Sequence, residues 1–312
     1  MPKLSLVAWG AFQTLRLGRP SVSLGFLGGI GDDLLCTTAV AEWLKRGTKR
    51  VWFFTRFPSL YRYEANVRLL PEDGRFRRLA ERLGQPMRPL SYSEFDPVTD
   101  RDTPLREHIL ADMCRRAGLS GEVDLRPYVA VDPDFPLPPG AVAGGLVFQS
   151  SGLSAALPMA NKQWPAERMQ TVVDHFSRRL PCLQLGSKND PPLKGAVDLR
   201  GGSLRQSAAV LYHSRLFVGT VGFPMHLARS VDCPAVIVYG GREVPELTGY
   251  SANVNLVNQP ECSPCWQRNR CDFGRKCLNA IEPSAVIEGV ERQLARPRSP
   301  LPVDRVKVKP IA

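Results

Sequence analysis

The stretch Phe217–Gly241, "FVGTVGFPMHLARSVDCPAVIVYGG", decides the fold. An apolar run meets Gly219, and Pro224 then opens a helix, because its fixed φ and missing N–H suit a first helical turn. A second apolar run follows and stops at Gly240-Gly241. Strand, helix and strand in such short order argue for a parallel sheet covered by helices. In open sheets of this kind ligands bind beyond the carboxyl ends of the strands, where glycine loops meet helix N-termini. The N–H groups near Met225 and His226 are expected to point into the loop after Gly219. A lone histidine is more often structural; at a helix N-terminus beside a glycine-ended strand, His226 is a candidate phosphate or ribose ligand. Val221 is out of place in a loop with polar work to do.

The same alternation runs outward in both directions. Upstream come a strand "LVFQSS", a helix Ala166–Arg179, a strand "CLQLGS", a helix Leu204–His213 and the strand "LFVGT"; downstream, a helix spans Ser284–Leu294. Nearer the N-terminus, "SVSLGFLGGIGDDLLCTTAVAEWLKRG" reads as a strand Val22–Leu27, a turn Gly28–Gly31 and a helix with Leu34, Leu35, Ala39, Val40 and Leu44 at helical spacing. A strand Arg50–Thr55 follows, then a polar, irregularly helical stretch to Gly121, and a strand in "LRPYVAV" around Tyr128. Four prolines, Pro133, Pro136, Pro138 and Pro139, break the pattern, since proline can continue neither ladder nor helix. The chain thus divides into an N-terminal segment (1–20), an α/β domain (21–135), a linker (136–140), a second α/β domain (141–283), a C-terminal helix (284–295) and a basic proline-rich tail (296–312). Two doubly wound, Rossmann-like domains facing across a cleft are the expected architecture.

Two further corners could carry chemistry. Gly28, Gly29 and Gly31 let the backbone approach a ligand at a helix N-terminus, and Asp32 or Asp33 there is either a helix cap or a general base for an incoming hydroxyl. The pattern is neither a dinucleotide fingerprint nor a Walker loop. Ser150, Ser151 and Ser154 leave a strand end, and Lys162 stands just before Trp164-Pro165; hydroxyls and a lysine at a helix start suit a diphosphate, with an ordinary surface loop as the alternative. Asp132-Pro133-Asp134 has the letters of a metal-binding D-x-D but lies in the linker and reads as structural.

Bulk properties exclude little. The chain has 312 residues, 43% of them hydrophobic and 23% charged, as a two-domain globular protein should. A formal charge of +11 favours anionic partners without choosing among phosphorylated metabolites, acidic lipids and nucleic acid. Part of it sits in the tail, where Arg296, Arg298, Arg305, Lys307 and Lys309 read as a solvated, disordered extension. The apolar run Leu4–Phe12 is too short to span a membrane and lacks a secretory cleavage site, so it packs or lies on a surface, with weak membrane attachment as the alternative. Of the eight cysteines, Cys36, Cys114, Cys182 and Cys233 read as core residues. Cys262, Cys265, Cys271 and Cys277 form a compact set suited to tetrahedral zinc or iron, with reduced thiols or disulfides as alternatives. The arginines between them raise a nucleic-acid-binding finger as a further reading, which is not favoured.

Taken together, these motifs resemble glycosyltransferase family 9, the ADP-heptose:lipopolysaccharide heptosyltransferases of GT-B fold, from about Val22 to Leu294. Gly28–Thr38 looks like the family's G-x-x-G-D-x-L-x-x-T-P, Lys162–Pro165 like its K-x-W-P, and Leu199–Leu211 like its L-x-G-x-x-S-L region. Phe217–Ala228 looks like F-V-G-x-D-S-G-P-M-H-L-A, and Cys262–Cys277 like a C-x-P-C followed by further cysteines. The resemblance implies an acceptor-side first domain with Gly28, Gly29 and Gly31 in its loop and Asp32 as catalytic base. It implies a second domain binding a nucleotide-diphosphate sugar, ADP-heptose first, through Ser151, Ser154, Lys162, Gly219, Thr220, Gly222, Met225, His226, Gly240 and Gly241. Catalysis would be inverting and free of cofactor; the cysteines would hold a structural metal, as in iron-bound members of the family. An anionic glycan or lipid-linked acceptor, a cytoplasmic location with peripheral contact to the inner membrane, and no nucleic acid complete the expectation. The departure is Val221-Gly222-Phe223, where the family places aspartate, a hydroxyl residue and glycine; it motivates an alternative, a catalytically inactive nucleotide-sugar-binding or scaffold protein.

Overall fold

The computed structural model describes residues 3–26, 28–61, 65–296 and 300–310, and of residues 3–7 the backbone alone. Leu27 and Arg298 therefore lie outside the described residues. The first half opens with helix α1 (Lys3–Leu17), strand β1 (Val22–Gly25), helix α2 (Ile30–Lys45) and strand β2 (Val51–Phe54). It continues through β3 (Val67–Leu70), α3 (Gly74–Arg82), β4 (Arg88–Pro89), a small hairpin β5 (Phe95–Asp96) and β6 (Arg101–Asp102), α4 (Ile109–Arg116) and β7 (Gly121–Asp124). The second half contains β8 (Leu146–Gln149), α5 (Ala166–Phe176), β9 (Cys182–Leu185), β10 (Val197–Asp198), α6 (Leu204–His213) and β11 (Leu216–Thr220). Helix α7 (Phe223–Ser230), β12 (Ala235–Gly240), α8 (Pro245–Thr248), β13 (Val254–Val257), α9 (Lys276–Asn279), α10 (Pro283–Leu294) and β14 (Arg305–Val308) complete it.

Two parallel sheets result, one ordered β3-β2-β1-β4 and the other β10-β9-β8-β11-β12-β13. Strands β1, β2, β8, β9, β11 and β12 are buried on two faces, which is why they read as largely apolar runs. The period of two sorts the side chains. In β2, Val51 and Phe53 face a shared core while Trp52 and Phe54 face α1 and α3. In β11 and β12, Phe217, Ala235, Ile237 and Tyr239 enter that shared core, and Val218, Val236 and Val238 face α5 and α10. The shared core takes Leu34, Leu35 and Val40 from α2 and Met225, Leu227 and Ala228 from α7, so one apolar cluster joins both halves. Removing a fully buried ring such as Phe217 would cost roughly 3–5 kcal/mol.

Several expectations need correction. Strand pairing in the first half ends at β7, directly before "LRPYVAV", because Gly121–Asp124 pairs antiparallel with β14 while residues 125–131 run irregularly. The basic tail is accordingly not a free extension throughout: Arg305–Val308 is a strand, with Val308 buried and Arg305 bonded to Asp124 at 2.9 Å. The stretch expected to be irregularly helical carries β3 and β4, the two edges of the first sheet. Helix α2 begins at Ile30 with Gly29 as its cap, so Gly31 belongs to the first turn and not to the loop.

Candidate functional site

Asp32 is the third residue of α2, at the carboxyl end of β1. It is not the helix cap; its Oδ2 accepts from the N–H of Gly29 at 3.0 Å, and its Oδ1 accepts from the Tyr92 hydroxyl at 2.5 Å. Gly28 is a glycine for this reason. A Cβ there would fall 2.0 Å from the Phe26 ring and 2.7 Å from Asp32 Oδ2. Phe26 in turn stacks on Tyr92, with centroids 5.7 Å apart. Burial raises the Asp32 carboxyl above the usual range, opposed by the Tyr92 and Gly29 hydrogen bonds and by the charges of Lys162 and Arg268. A partly buried carboxylate with that proton affinity is suited to accept a proton from a hydroxyl. Asp33 turns the other way and is buried, accepting from Thr55 Oγ1 at 2.9 Å and from the Tyr61 hydroxyl. Burial pushes it up to about 6. It ties α2 to the end of β2.

Lys162 reaches the same region from the second half. Its Nζ bonds Glu243 Oε1 at 2.5 Å, and Arg242 Nη1 bonds the same oxygen at 2.9 Å. Burial alone would raise Glu243, but the two cations outweigh it and hold the carboxyl down at about 2. Burial lowers the Lys162 ammonium in spite of Glu243 and Asp32 beside it. Arg242 also donates to Asp102 on β6, and Arg268 grips Asp102 at 2.6 Å, so a buried chain of charges links the halves. Sequence reading missed Tyr92, Asp102, Glu243 and Arg268. Glu243 left a signal, a carboxylate just past the Gly240-Gly241 strand end; Tyr92 and Asp102 sit in a stretch with no periodicity at all.

The loop after β11 answers the question of Val221. Its side chain is 5% exposed and belongs to the shared apolar core, so it is a packing residue. Phe223 packs against the same core, and a Cβ placed on Gly31 would lie 3.6 Å from it, so the first turns of α2 and α7 touch. The N–H groups of Met225 and His226 do not point into the loop; both bond the Gly222 carbonyl, at 3.1 and 3.3 Å. His226 is buried, with Nδ1 2.6 Å from the Tyr250 hydroxyl, and burial together with the Lys162 charge lowers it to about 3, leaving it neutral at pH 7. Thr220 and Gly219 are buried at the strand end, and Met225 is wholly enclosed. Ser151 is occupied within its own loop, bonding Gln163 and the N–H of Leu153, while Ser154 is exposed.

Gly240 and Gly241 lie under the cysteine segment. A Cβ on Gly241 would come within 2.8 Å of Cys277 Cβ, and its carbonyl accepts from Ser263 and from the N–H of Cys265. Among the described residues no disulfide joins Cys262, Cys265, Cys271 and Cys277. Cys262, Cys265, Cys271 and Cys277 line one cavity of about 240 Å³ with Arg242, Asn161 and Phe273. Among the described residues, no three His, Cys, Asp or Glu side chains converge as metal ligands would. The donor chemistry suits zinc or iron; the arrangement of the thiols does not close on one point. The β5–β6 hairpin clasps this segment: Asp100 Oδ2 accepts from the N–H groups of Asn269 and Arg270 at 2.6 and 2.7 Å, and Asp102 N–H bonds the Trp266 carbonyl. A second cavity, about 250 Å³, lies between Pro138-Pro139 and the start of α6. Neither cavity includes Asp32, Lys162 or His226.

No protein-family profile matches the chain, and no curated protein matches it either. Solved structures do. The dodecameric iron-containing glycosyltransferase TibC from enterotoxigenic E. coli aligns at a TM-score of 0.65 and 18% identity, covering 88% of this chain and 76% of its own. The E. coli ADP-heptose lipopolysaccharide heptosyltransferase II aligns at 0.60 and 14%, covering 88% and 98%. A family 9 glycosyltransferase from Veillonella parvula aligns at 0.55 and 16%, covering 89% and 98%. TibC has been solved in complex with ADP-D-β-D-heptose and the E. coli heptosyltransferase WaaC with ADP. At such identities the likeness is one of fold, and the chain has the GT-B fold of the family 9 heptosyltransferases.

Proposed function

We propose that the protein is a glycosyltransferase that moves a sugar from a nucleoside-diphosphate donor to an acceptor hydroxyl. The observation that carries this reading is that Asp32, a partly buried carboxylate of raised proton affinity, and Lys162, a partly buried ammonium from the other half, lie near enough to act on each other's ionisation. Asp32 takes the proton of the acceptor hydroxyl as its oxygen bonds the anomeric carbon. The bond from that carbon to the diphosphate oxygen breaks with inversion, through an oxocarbenium-like state. Lys162 neutralises the departing diphosphate, so catalysis needs no metal. ADP-heptose is the first donor to test, since fold neighbours have been solved with it or with ADP. An anionic glycan or a lipid-linked sugar is the acceptor class the +11 charge favours. A reducing cytoplasm is the proposed location. A zinc or iron ion held by Cys262, Cys265, Cys271 and Cys277 is part of the same proposal as a structural element only. Elemental analysis finding no stoichiometric metal in freshly purified protein would remove it.

The second reading, a nucleotide-sugar-binding protein without turnover, draws on Val221 and Phe223, which fill the turn between β11 and α7 with apolar bulk, and on the N–H groups of Met225 and His226, which are already bonded. Calorimetric titration with ADP, GDP and UDP, in the parent and in Lys162→Ala, tests both. Nucleotide binding that weakens tenfold or more in the variant, with sugar released from the matching donor, is the expected result. Binding without release gives the second reading. No binding of any of the three refutes a donor site.

A further inference from the structure

Helix α1 precedes the first strand of the fold and carries no carboxylate in "KLSLVAWGAFQTLRL". Its inner side is anchored. Trp9 meets Phe76 edge-on at 5.1 Å, Leu17 is buried against β2 and α3, and Gln13 is covered. Its outer side is not: Ala8, Ala11, Phe12, Leu15 and Arg16 are exposed, at spacings that place them on one face. Phe12 is 58% and Leu15 87% exposed, three residues apart on this face. Helix α3 lies alongside, with Gly10 of α1 close to Leu79. It presents a row of exposed arginines at helical spacing, Arg75, Arg78 and Arg82. Arg75 sits over the Trp9 ring at 5.6 Å, and Arg19 is fixed at the end of α3 by its bonds to the Leu83 carbonyl. Among the described residues Arg16, Arg19, Arg78 and Arg82 have no ion pair; Asp73 pairs with Arg75, and Glu81 is the exposed carboxylate of the row.

We propose that the outer face of α1, with its arginine rim, docks the protein on an anionic phospholipid bilayer. An apolar helical stripe flanked by arginines is the pattern of a helix lying in a membrane interface, where rings enter the acyl boundary and guanidinium groups meet lipid phosphates. No helix described in this chain is long and apolar enough to cross a membrane, so attachment here is to the surface. The rim also weighs against a second copy of the chain docking through this same face. Two such faces brought together would set unpaired arginines against arginines, and like charges repel. The inference is independent of the glycosyltransferase reading, because it concerns α1 and α3 alone.

The test is co-sedimentation of the full chain with vesicles of phosphatidylglycerol and phosphatidylethanolamine, against vesicles of phosphatidylcholine. Sedimentation with the first and not the second is expected, weakening with added salt. The double variant Phe12→Glu/Leu15→Glu should lose roughly tenfold or more in apparent affinity, and Arg78→Glu/Arg82→Glu a comparable amount. All of these side chains are exposed, so unchanged thermal unfolding and circular dichroism certify the fold of both variants. Vesicle binding by the Phe12/Leu15 variant equal to that of the parent overturns the proposal. So does a parent that ignores anionic vesicles, or one that forms a dimer which the same two substitutions abolish.

Discussion

Replacing Tyr92 by phenylalanine removes one hydroxyl and keeps the ring that stacks on Phe26. That hydroxyl donates to Asp32 Oδ1 at 2.5 Å and favours the ionised carboxylate, against the burial that disfavours it. A hydrogen bond to a charged group contributes about 1.5–3 kcal/mol. Tenfold in a proton equilibrium is about 1.4 kcal/mol. The Gly29 N–H and the charges of Lys162 and Arg268 remain in place, so the low end of the range applies. The acidic limb of kcat/KM should therefore move about one pH unit toward alkaline. The sign follows from the chemistry: a base must be deprotonated, and Asp32 without Tyr92 holds its proton to higher pH. The alkaline plateau should change far less than the value at the limb. The assay is the pH profile of nucleotide release from the donor identified by calorimetry, in the parent, Tyr92→Phe and Asp32→Asn. A Tyr92→Phe profile that stays in place, or shifts toward acid, refutes the assignment of Asp32 as the base. So does residual transfer in Asp32→Asn comparable to the parent.

Three further outcomes are expected. Lys162→Ala leaves Glu243 with Arg242 alone, so besides weakening nucleotide binding it should lower unfolding stability by about 2–3 kcal/mol. Glu243 has a folded value of about 2, below the ordinary 4.5, so it contributes stability above 4.5 that is lost as pH falls toward 2; in the variant that acid loss should be smaller and complete at a higher pH, read from urea midpoints across acid pH. Val221→Asp, which supplies the carboxylate the family resemblance would put there, should destabilise by about 2 kcal/mol or more without raising turnover, because the site is apolar and closed. Asp100→Ala should release the Asn269 and Arg270 N–H groups from their shared acceptor, at a cost of about 1–3 kcal/mol. Hydrogen exchange at residues 267–271 should quicken while β11 and β12 stay protected.

The sequence by itself determined the layered part of this protein. Leu216–Thr220, Leu204–His213 and Ala235–Gly240 stand where their periodicity places them, since an apolar run closed by glycine or proline has few other ways to bury itself in a two-sided sheet. The positions of Asp32 and Lys162 were legible for a related reason: strand ends and helix starts are fixed by local pattern. Tertiary structure decided the rest. Tyr92, Asp102 and Arg268 come from stretches without a period and acquire meaning through partners 60, 140 and 166 residues away. The tail was basic and proline-rich in composition, yet a strand, because β7 offered an open edge to Arg305–Val308. Val221 was an anomaly as a letter in a binding loop and is a core residue in space. Local chemistry says what a segment can do; which neighbour it meets, and so whether a loop faces ligand or core, is settled by the packing of the two halves.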